Sequence, residues 1–492
     1  MRAAPQSQDQ APPPDWLATS WSTFGHGPSH DGNSAFAAQP LKRIRWQTPV
    51  DLKPQYWSGE LLIHYGCPLV TEKNNVIVTV KVKAQGTFEV QTRRGSDGQL
   101  LWNIPTDYTL PSAGWVPLCG PTLTPGHRLF IPAIGGTVFE CSDPDTLPHV
   151  VRRRAFYGLA NYQAAPHDYN VNIKINTPIV SDNEGNLFFG FLALGSTPLP
   201  LQSGIARISA NGLDTWTSVA RASRDPKIVQ VVDNCAPVLS PDGSMLYVAV
   251  RFNSGAGYLL GLDSGTLAPR RRVELVDPLS GYDASLDDSG TASPSVGPDG
   301  DVYFGVLESS WGSNHARGWM LHYDSTLTVT KTPGDFGWDN TPSTVPSECV
   351  PSYTGTSKYL LVTKYNNYAI GGGDGVNKIA MLDPNASQLD PQTGATVMKE
   401  VITIAGVTPD PPNGPKAVKE WCINNIAVDP KTKSAMAGSE DGTLYRWDFT
   451  TNTLSERVVL TAGLGEAYTP TVIGVDGTVY AINNAILFAV GR

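Results

Sequence analysis

The sequence predicts an all-β chain folded as an eight-bladed propeller of four-stranded antiparallel blades, and three observations carry that reading. Forty-eight glycines and 40 prolines punctuate 492 residues, and the short apolar runs between them are rich in Val, Ile, Thr and Tyr, which suits strands. A unit made of a small residue, Pro, an apolar stretch and a Gly-centred turn recurs eight times. Its anchors are Pro68, Pro121, Pro178, Pro237, Pro294, Pro351, Asn424 in place of Pro, and Pro470. Finally, the last unit, "TPTVIGVDGTVYAINNAILFAVGR" (469–492), holds three strands where its predecessors hold four. A supersecondary unit recurring at this spacing belongs to a propeller or a solenoid.

Each unit opens with two strands joined by a tight turn, "SPDGS", "GPDGD" or "GVDGT", in which Asp-Gly supplies the positive φ that a hairpin needs. A third strand follows, as in "GYLLGLDSGT", "GWMLHYDST", "NKIAMLDPN" and "GTLYRWDFTTN", and turns at its Asp. A fourth leaves as "LLWNIP", "RRRVELV", "LTVTKT", "VMKEVITI" or "SERVVL". Four antiparallel strands per unit make a blade, not a solenoid coil. The strand missing from the eighth blade is expected at the other end of the chain, where "LKRIRWQTPV" (41–50) stands without partners of its own. The ring is thus expected to be closed by its N-terminal strand, hiding two sheet edges. Residues 1–20 read as a Pro-rich disordered tether and 21–492 as one domain.

The bulk numbers exclude several functions. A net charge of −9 disfavours nucleic acid, which requires a basic stripe; the "RRR" runs at 152–154 and 270–272 fall in outer strands as solvated edge charges. No apolar run is long enough to span a bilayer. The six cysteines form no Cys-x-x-Cys pair or zinc spacing. The expectation is an exported protein, periplasmic or secreted, monomeric, and without a transmembrane segment.

The segment "WSTFGHGPSHDGNS" (21–34), followed by eight Pro-x-Val and Asp-Gly-x-Val-Tyr units, resembles the quinoprotein-like, or PQQ-like repeat, propellers. That superfamily holds quinoprotein alcohol dehydrogenases and the outer-membrane assembly lipoprotein of the BamB type. For a dehydrogenase the resemblance implies a vicinal Cys-Cys pair over the quinone, a Trp beneath it, Glu/Asn/Asp calcium ligands and an Asp base. This sequence has no adjacent cysteines, and only "GQLLW" (98–102) approaches the family's Trp-docking ending. PQQ is therefore disfavoured as a cofactor, with a divalent cation such as calcium left open. His26 and His30 have the spacing of a metal pair but belong to the entry segment, where a structural role is expected.

Ligand sites of propellers gather where each outer strand runs into the next blade's inner strand. Two residues before the anchors stand Gly66, Cys119, Asn176, Cys235, Ala292, Cys349, Cys422 and Tyr468; four before stand His64, Pro117, Lys174, Asp233, Gly290, Ser347, Glu420 and Glu466. Four cysteines thus share one position, where a small, weakly polar residue suits converging blades; if any pair cross-links, Cys349 and Cys422 lie on adjacent blades. Glu420, Glu466 and His64 fall on consecutive blades and can hold a divalent cation or form an acid/base set, with Tyr65 and Lys174 as further catalytic candidates. Against this stands a solvated rim in which Lys174 simply pairs with Asp233. Trp57, Trp115, Tyr169, Trp338 and Trp421 ring the same loops, with Asn176 and Asp233 as polar partners, and such a cleft suits a sugar, a quinone or another flat ligand. Two functions follow. One is a propeller that binds a small-molecule or glycan-like ligand, or a protein partner at its rim, without chemistry. The other is a channel-mouth enzyme, a quinone-dependent oxidoreductase or a lyase or hydrolase acting on an alcohol or carbohydrate-like substrate. The insertion carrying "AIGGGDGVNK" and "TPDPPNGPK" is expected to be a mobile rim loop.

Overall fold

The computed structural model describes residues 21–57, 60–61, 65–84, 86–111, 119–147, 151–286, 292–463 and 469–492. Eight antiparallel sheets form the propeller ring, and blade one shows the pattern: Leu69–Val70, Asn75–Lys81, Phe88–Arg94 and Leu100–Thr106 pair in chain order. Burial explains the sequence signal. The second strand of that blade, with sheets on either side, is buried at every residue, so it reads as a continuous apolar run. An outermost strand such as Thr453–Val459 alternates exposed and half-buried positions, which is the period of a strand with one wet face. The Asp-Gly turns have the expected backbone, with Gly243 at φ 71°, Gly300 at 88° and Gly477 at 82°.

The eighth sheet takes its outer strand from the N-terminal side of the chain. Arg43–Pro49 pairs antiparallel with Ile486–Gly491, Arg43 opposite Gly491 and Pro49 opposite Ile486. Trp46 of this strand donates its indole N–H to Gly95 O of blade one at 2.8 Å. Its ring lies over Gly98, where a β-carbon would come within 2.6 Å; only glycine allows that approach.

Blade five departs from the expectation. Its strands are Ser295–Val296, Val302–Val306 and Trp319–Tyr323, and the fourth edge, where "LTVTKT" was expected as a strand, pairs through the bridges Tyr323–Thr330 and Met320–Gly334. Blade six covers the thin edge. Its last two strands, Lys378–Leu389 and Thr396–Ala405, shift register between Asp383 and Ser387, and the hairpin they form lies over blade five. Met398 N–H reaches Pro333 O at 2.7 Å, and Val397 enters blade five's core. At its tip Asp390 meets Arg317, which is 2% exposed and also paired with the fully buried Asp335 at 2.6 Å.

The inner strands of blades six and seven correct the anchor positions. They are Ser343–Pro346 and Ala427–Asp429, so Pro342 and Ile426 stand where Pro351 and Asn424 were expected. Hydrogen bonds between adjacent blades fix this register: Ala236 N to Ser293 Oγ, Ser293 N to Thr341 Oγ1, and Asn425 Nδ2 to Thr341 O all join residues directly preceding an anchor. Only Cys119 and Cys235 therefore share the position assigned above to four cysteines. No disulfide joins any of the six, Cys349 and Cys422 included.

The entry segment is the hub of the ring. Residues 21–39 wind past the inner strands in blade order. Val70, Leu123, Leu239, Val296, Thr344 and Val428 donate backbone N–H groups at 2.8–3.0 Å to Trp21, Ser22, Pro28, Ser29, Asp31 and Gly32. Blade three receives Thr23 Oγ1 at Ile179 O, and blade eight receives Gln39 N–H at Gly477 O, 2.7 Å. Inner strands need an edge partner because their N–H groups cannot be left unpaired in a dry core, and this thread supplies one. His30 is fully buried within it, with Nδ1 2.8 Å from Pro294 O. Burial lowers its pKa to about 4, so it is neutral. His26 holds Asp31 at 3.0 Å.

Candidate functional site

The loops that lead into the inner strands define one face of the ring, and the richest cluster of polar and aromatic groups described there spans blades five to seven. Blade six's second strand, Tyr359–Tyr365, runs toward that face and delivers Lys364 and then Asn366 and Tyr368. The chain entering blade seven delivers Glu420. Asn366 is fully buried. Its Nδ2 lies 3.3 Å from Glu420 Oε2, 3.1 Å from the Tyr368 hydroxyl and 3.2 Å from Trp421 O, while its Oδ1 accepts from Trp421 N–H at 3.2 Å. One amide thus fixes the carboxyl, the phenol and the backbone together. Lys364 is 1% exposed, with its ammonium 5.5 Å from the Phe336 ring.

Burial, followed by repulsion from Glu440, pushes the Glu420 pKa up to about 7, against the attraction of Lys364. Burial and the neighbouring Glu420 raise the Tyr368 phenol well above its ordinary value. A carboxyl that titrates near neutrality beside fixed donors can give or take a proton at working pH. Leading outward from it, Tyr368 meets Trp338 at 5.6 Å between ring centroids and Trp338 meets Trp311 at 5.4 Å. Trp311 is 58% exposed. The three rings form a row from open rim to Glu420.

The other expected residues have separate fates. Tyr65 gives its hydroxyl to Asp51 at 3.1 Å, and Asp51 forms a fully buried pair with Lys81 at 2.7 Å; burial and Asp51 drive the Tyr65 pKa upward. Lys174 does not pair with Asp233. Its ammonium reaches Thr109 Oγ1 at 2.6 Å and Asn170 O at 2.8 Å, and burial lowers its pKa. Asp233 accepts instead from Asn176 Nδ2 at 2.8 Å and Gln230 Nε2 at 3.0 Å, and burial raises its pKa. Tyr169 and Trp421 are fully buried; Tyr169 stacks on Tyr157 at 4.5 Å and Trp421 packs edge-on against Tyr445, so both pack within the core. His64, Trp115, Glu466 and the Trp57 side chain lie outside the described residues. The "AIGGGDGVNK" segment is held to the chain just after "TPDPPNGPK" by Val418 N–H to Gly375 O at 3.0 Å.

Sequence reasoning missed Asn366, Lys364, Tyr368 and Trp311. Asn366 and Tyr368 stand in "YNNY" at the mouth end of a second strand, and that strand-end position was the available signal. It named Asn176 but not Asn340; the Oδ1 atoms of both, buried two residues before an anchor, make no hydrogen bond. A quinone with calcium would need convergent carboxylate and amide donors. Among the described residues a single group of three metal-ligating side chains converges, His127 with Asp143 and Asp145, and it lies at the turns on the opposite face. At the mouth the carboxylate and amide that the structure brings together are Glu420 and Asn366.

No protein-family model matches the chain, and no curated protein matches it in sequence. Solved structures do match in fold. A europium-containing methanol dehydrogenase aligns with a TM-score of 0.57 and 10% identity over 94% of this chain and 89% of its own. The quinohemoprotein alcohol dehydrogenase from Comamonas testosteroni gives 0.54 and 12% over 97% and 78%. The quinohemoprotein alcohol dehydrogenase ADHIIG from Pseudomonas putida HK5 gives 0.51 and 12% over 96% and 76%. At these identities the likeness is one of fold: the chain is an eight-bladed β-propeller arranged as in those dehydrogenases.

Proposed function

We propose that this PQQ-like propeller is an exported protein that binds a small polyhydroxylated or planar ligand at its mouth, between blades five and seven, with Glu420 exchanging a hydrogen bond or proton with it. The observation that supports this reading is the ring row Trp311, Trp338 and Tyr368 ending on the Asn366-held Glu420. Aromatic faces take the apolar face of a sugar or a flat ring, and convergent polar groups at one end orient it.

A second reading has a specific observation in its favour. Glu420, titrating near 7 with Lys364 beside it, has the properties of a general acid/base on an alcohol or carbohydrate-like substrate. The two readings share a site and differ in turnover.

Titration of the purified protein with panels of mono- and disaccharides, alditols and quinones, followed by tryptophan fluorescence and calorimetry, tests both. A ligand should bind with at least tenfold lower affinity to Trp338→Ala. Glu420→Gln should retain binding in the first reading and abolish product formation in the second. Saturable binding that is indifferent to Trp338→Ala and Glu420→Gln would remove this site from consideration. Fractionation of cells carrying a tagged copy checks export.

A further inference from the structure

The turns on the face away from the mouth bring together three side chains that the proposed function does not use. In blade two the first turn carries His127 and the turn after the third strand carries Asp143 and Asp145; the ladder places these turns side by side, Arg128 opposite Ser142. His127 Nε2 lies 3.0 Å from Asp145 Oδ2 and 3.4 Å from Asp143 Oδ1, and the three ligand atoms all lie within 4.8 Å of one another.

The contact between His127 and Asp145 has the distance of a hydrogen bond without its direction. Both atoms are buried and neither makes a hydrogen bond, although the Asp145 side chain is only 1% exposed. A buried carboxylate oxygen left this way is costly, whereas a cation accepts both lone pairs at once. The separations fit: ligands at ~2.0–2.1 Å in tetrahedral directions stand ~3.3 Å apart. The other oxygen of Asp145 is already held by blade one, accepting from Thr71 Oγ1 and from Asn75 Nδ2 at 2.9 Å. Such outer contacts orient a metal-binding carboxylate. Lys73, 67% exposed and 3.9 Å from Asp145 Oδ2, can swing away.

We propose that His127, Asp143 and Asp145 form a three-ligand site for a divalent transition-metal cation at the turns of blade two, which leaves a fourth position for water. One imidazole and two carboxylates suit zinc or its first-row neighbours; calcium requires six to eight oxygens.

The probe is zinc chloride with tag-free, chelator-treated full-length protein. The Glu420→Gln protein is the parent, and His127→Gln and Asp143→Asn are compared with it in that background, so that metal held through Glu420 at the mouth is not counted. Both substituted side chains are partly exposed, and circular dichroism and gel filtration check that each variant folds before it is titrated. The parent should retain one equivalent of zinc after dialysis and gain melting temperature with it. Each variant should bind at least tenfold more weakly and lose the thermal shift, and cobalt in the parent should give the visible absorption of a tetrahedral site. Failure of the parent to retain zinc overturns the proposal, as does equal retention by either variant.

Discussion

Deleting the entry thread should unfold the ring. Removal of residues 1–34 takes away the acceptors of six inner-strand N–H groups, those of Val70, Leu123, Leu239, Val296, Thr344 and Val428. A buried donor left unpaired costs about 1–3 kcal/mol, so the six together amount to about 6–18 kcal/mol. The whole stability of a domain is about 5–15 kcal/mol. Water entering the vacated axis offsets part of this, which favours the lower end, and even that consumes most of the native margin. The control is deletion of 1–20, which removes none of these acceptors. Gly32→Ala tests the same contact with one atom: at φ 67° its β-carbon would lie 2.3 Å from Ser343 Oγ and 2.7 Å from Ile426 O. Left-handed backbone and overpacking together cost about 2–5 kcal/mol. Urea melts and gel filtration of the four proteins are the assay, with a synthetic 21–34 peptide added to the larger deletion to restore the fold. If the 1–34 deletion melts within a few degrees of the 1–20 deletion, the thread is a passenger and the reasoning fails.

Three further outcomes are expected. Arg317→Met should cost about 3–5 kcal/mol in equilibrium unfolding, because it leaves Asp335 and Asp390 buried without their cation. His30 holds its proton less tightly when folded, with a pKa of about 4 against 6.5. Its contribution is therefore fully present above pH 6.5 and is lost as pH falls toward 4, and His30→Asn should flatten the loss of melting temperature over that window. Glu420 behaves in the opposite sense, since its folded pKa of about 7 exceeds the ordinary 4.5. The native state gives up stability as pH rises from 4.5 through 7, so Glu420→Gln should melt higher than wild type at pH 8 and equally at pH 4.

How much of this was legible depended on whether side chains or backbone carried the information. The blade units were readable because Asp-Gly turns and apolar second strands are demanded residue by residue. Blades six and seven misled the count because the inner strand of one, in "TPSTVPSECVPSY", has several prolines to choose from, and that of the other, in "CINNIAVDP", has none at its anchor. Glu420 was found, but its partner Asn366 was not, since it lies on the neighbouring blade at a distance of 54 residues. The role of 21–34 was nearly invisible: the thread works mainly through carbonyl oxygens, which every sequence possesses, and only small residues such as Gly32 record how tightly it fits. The pairing of His127 with Asp143 and Asp145 needed the register between two turns.

The thread also sets a timetable. Trp21 meets blade one, but Gly32 waits for Val428, and Arg43 for Gly491. At about 5–20 residues per second, synthesis of the intervening ~400 residues lasts roughly 20–80 s. Throughout that interval the far part of the entry segment must stay unpaired, and the earlier blades await a thread that is not yet fixed at its other end. Contacts so distant in sequence make folding slow. The ring can therefore lock only after its last blade has emerged, and a chaperone that shields the early blades should raise the yield of native protein more than it raises the stability of any part.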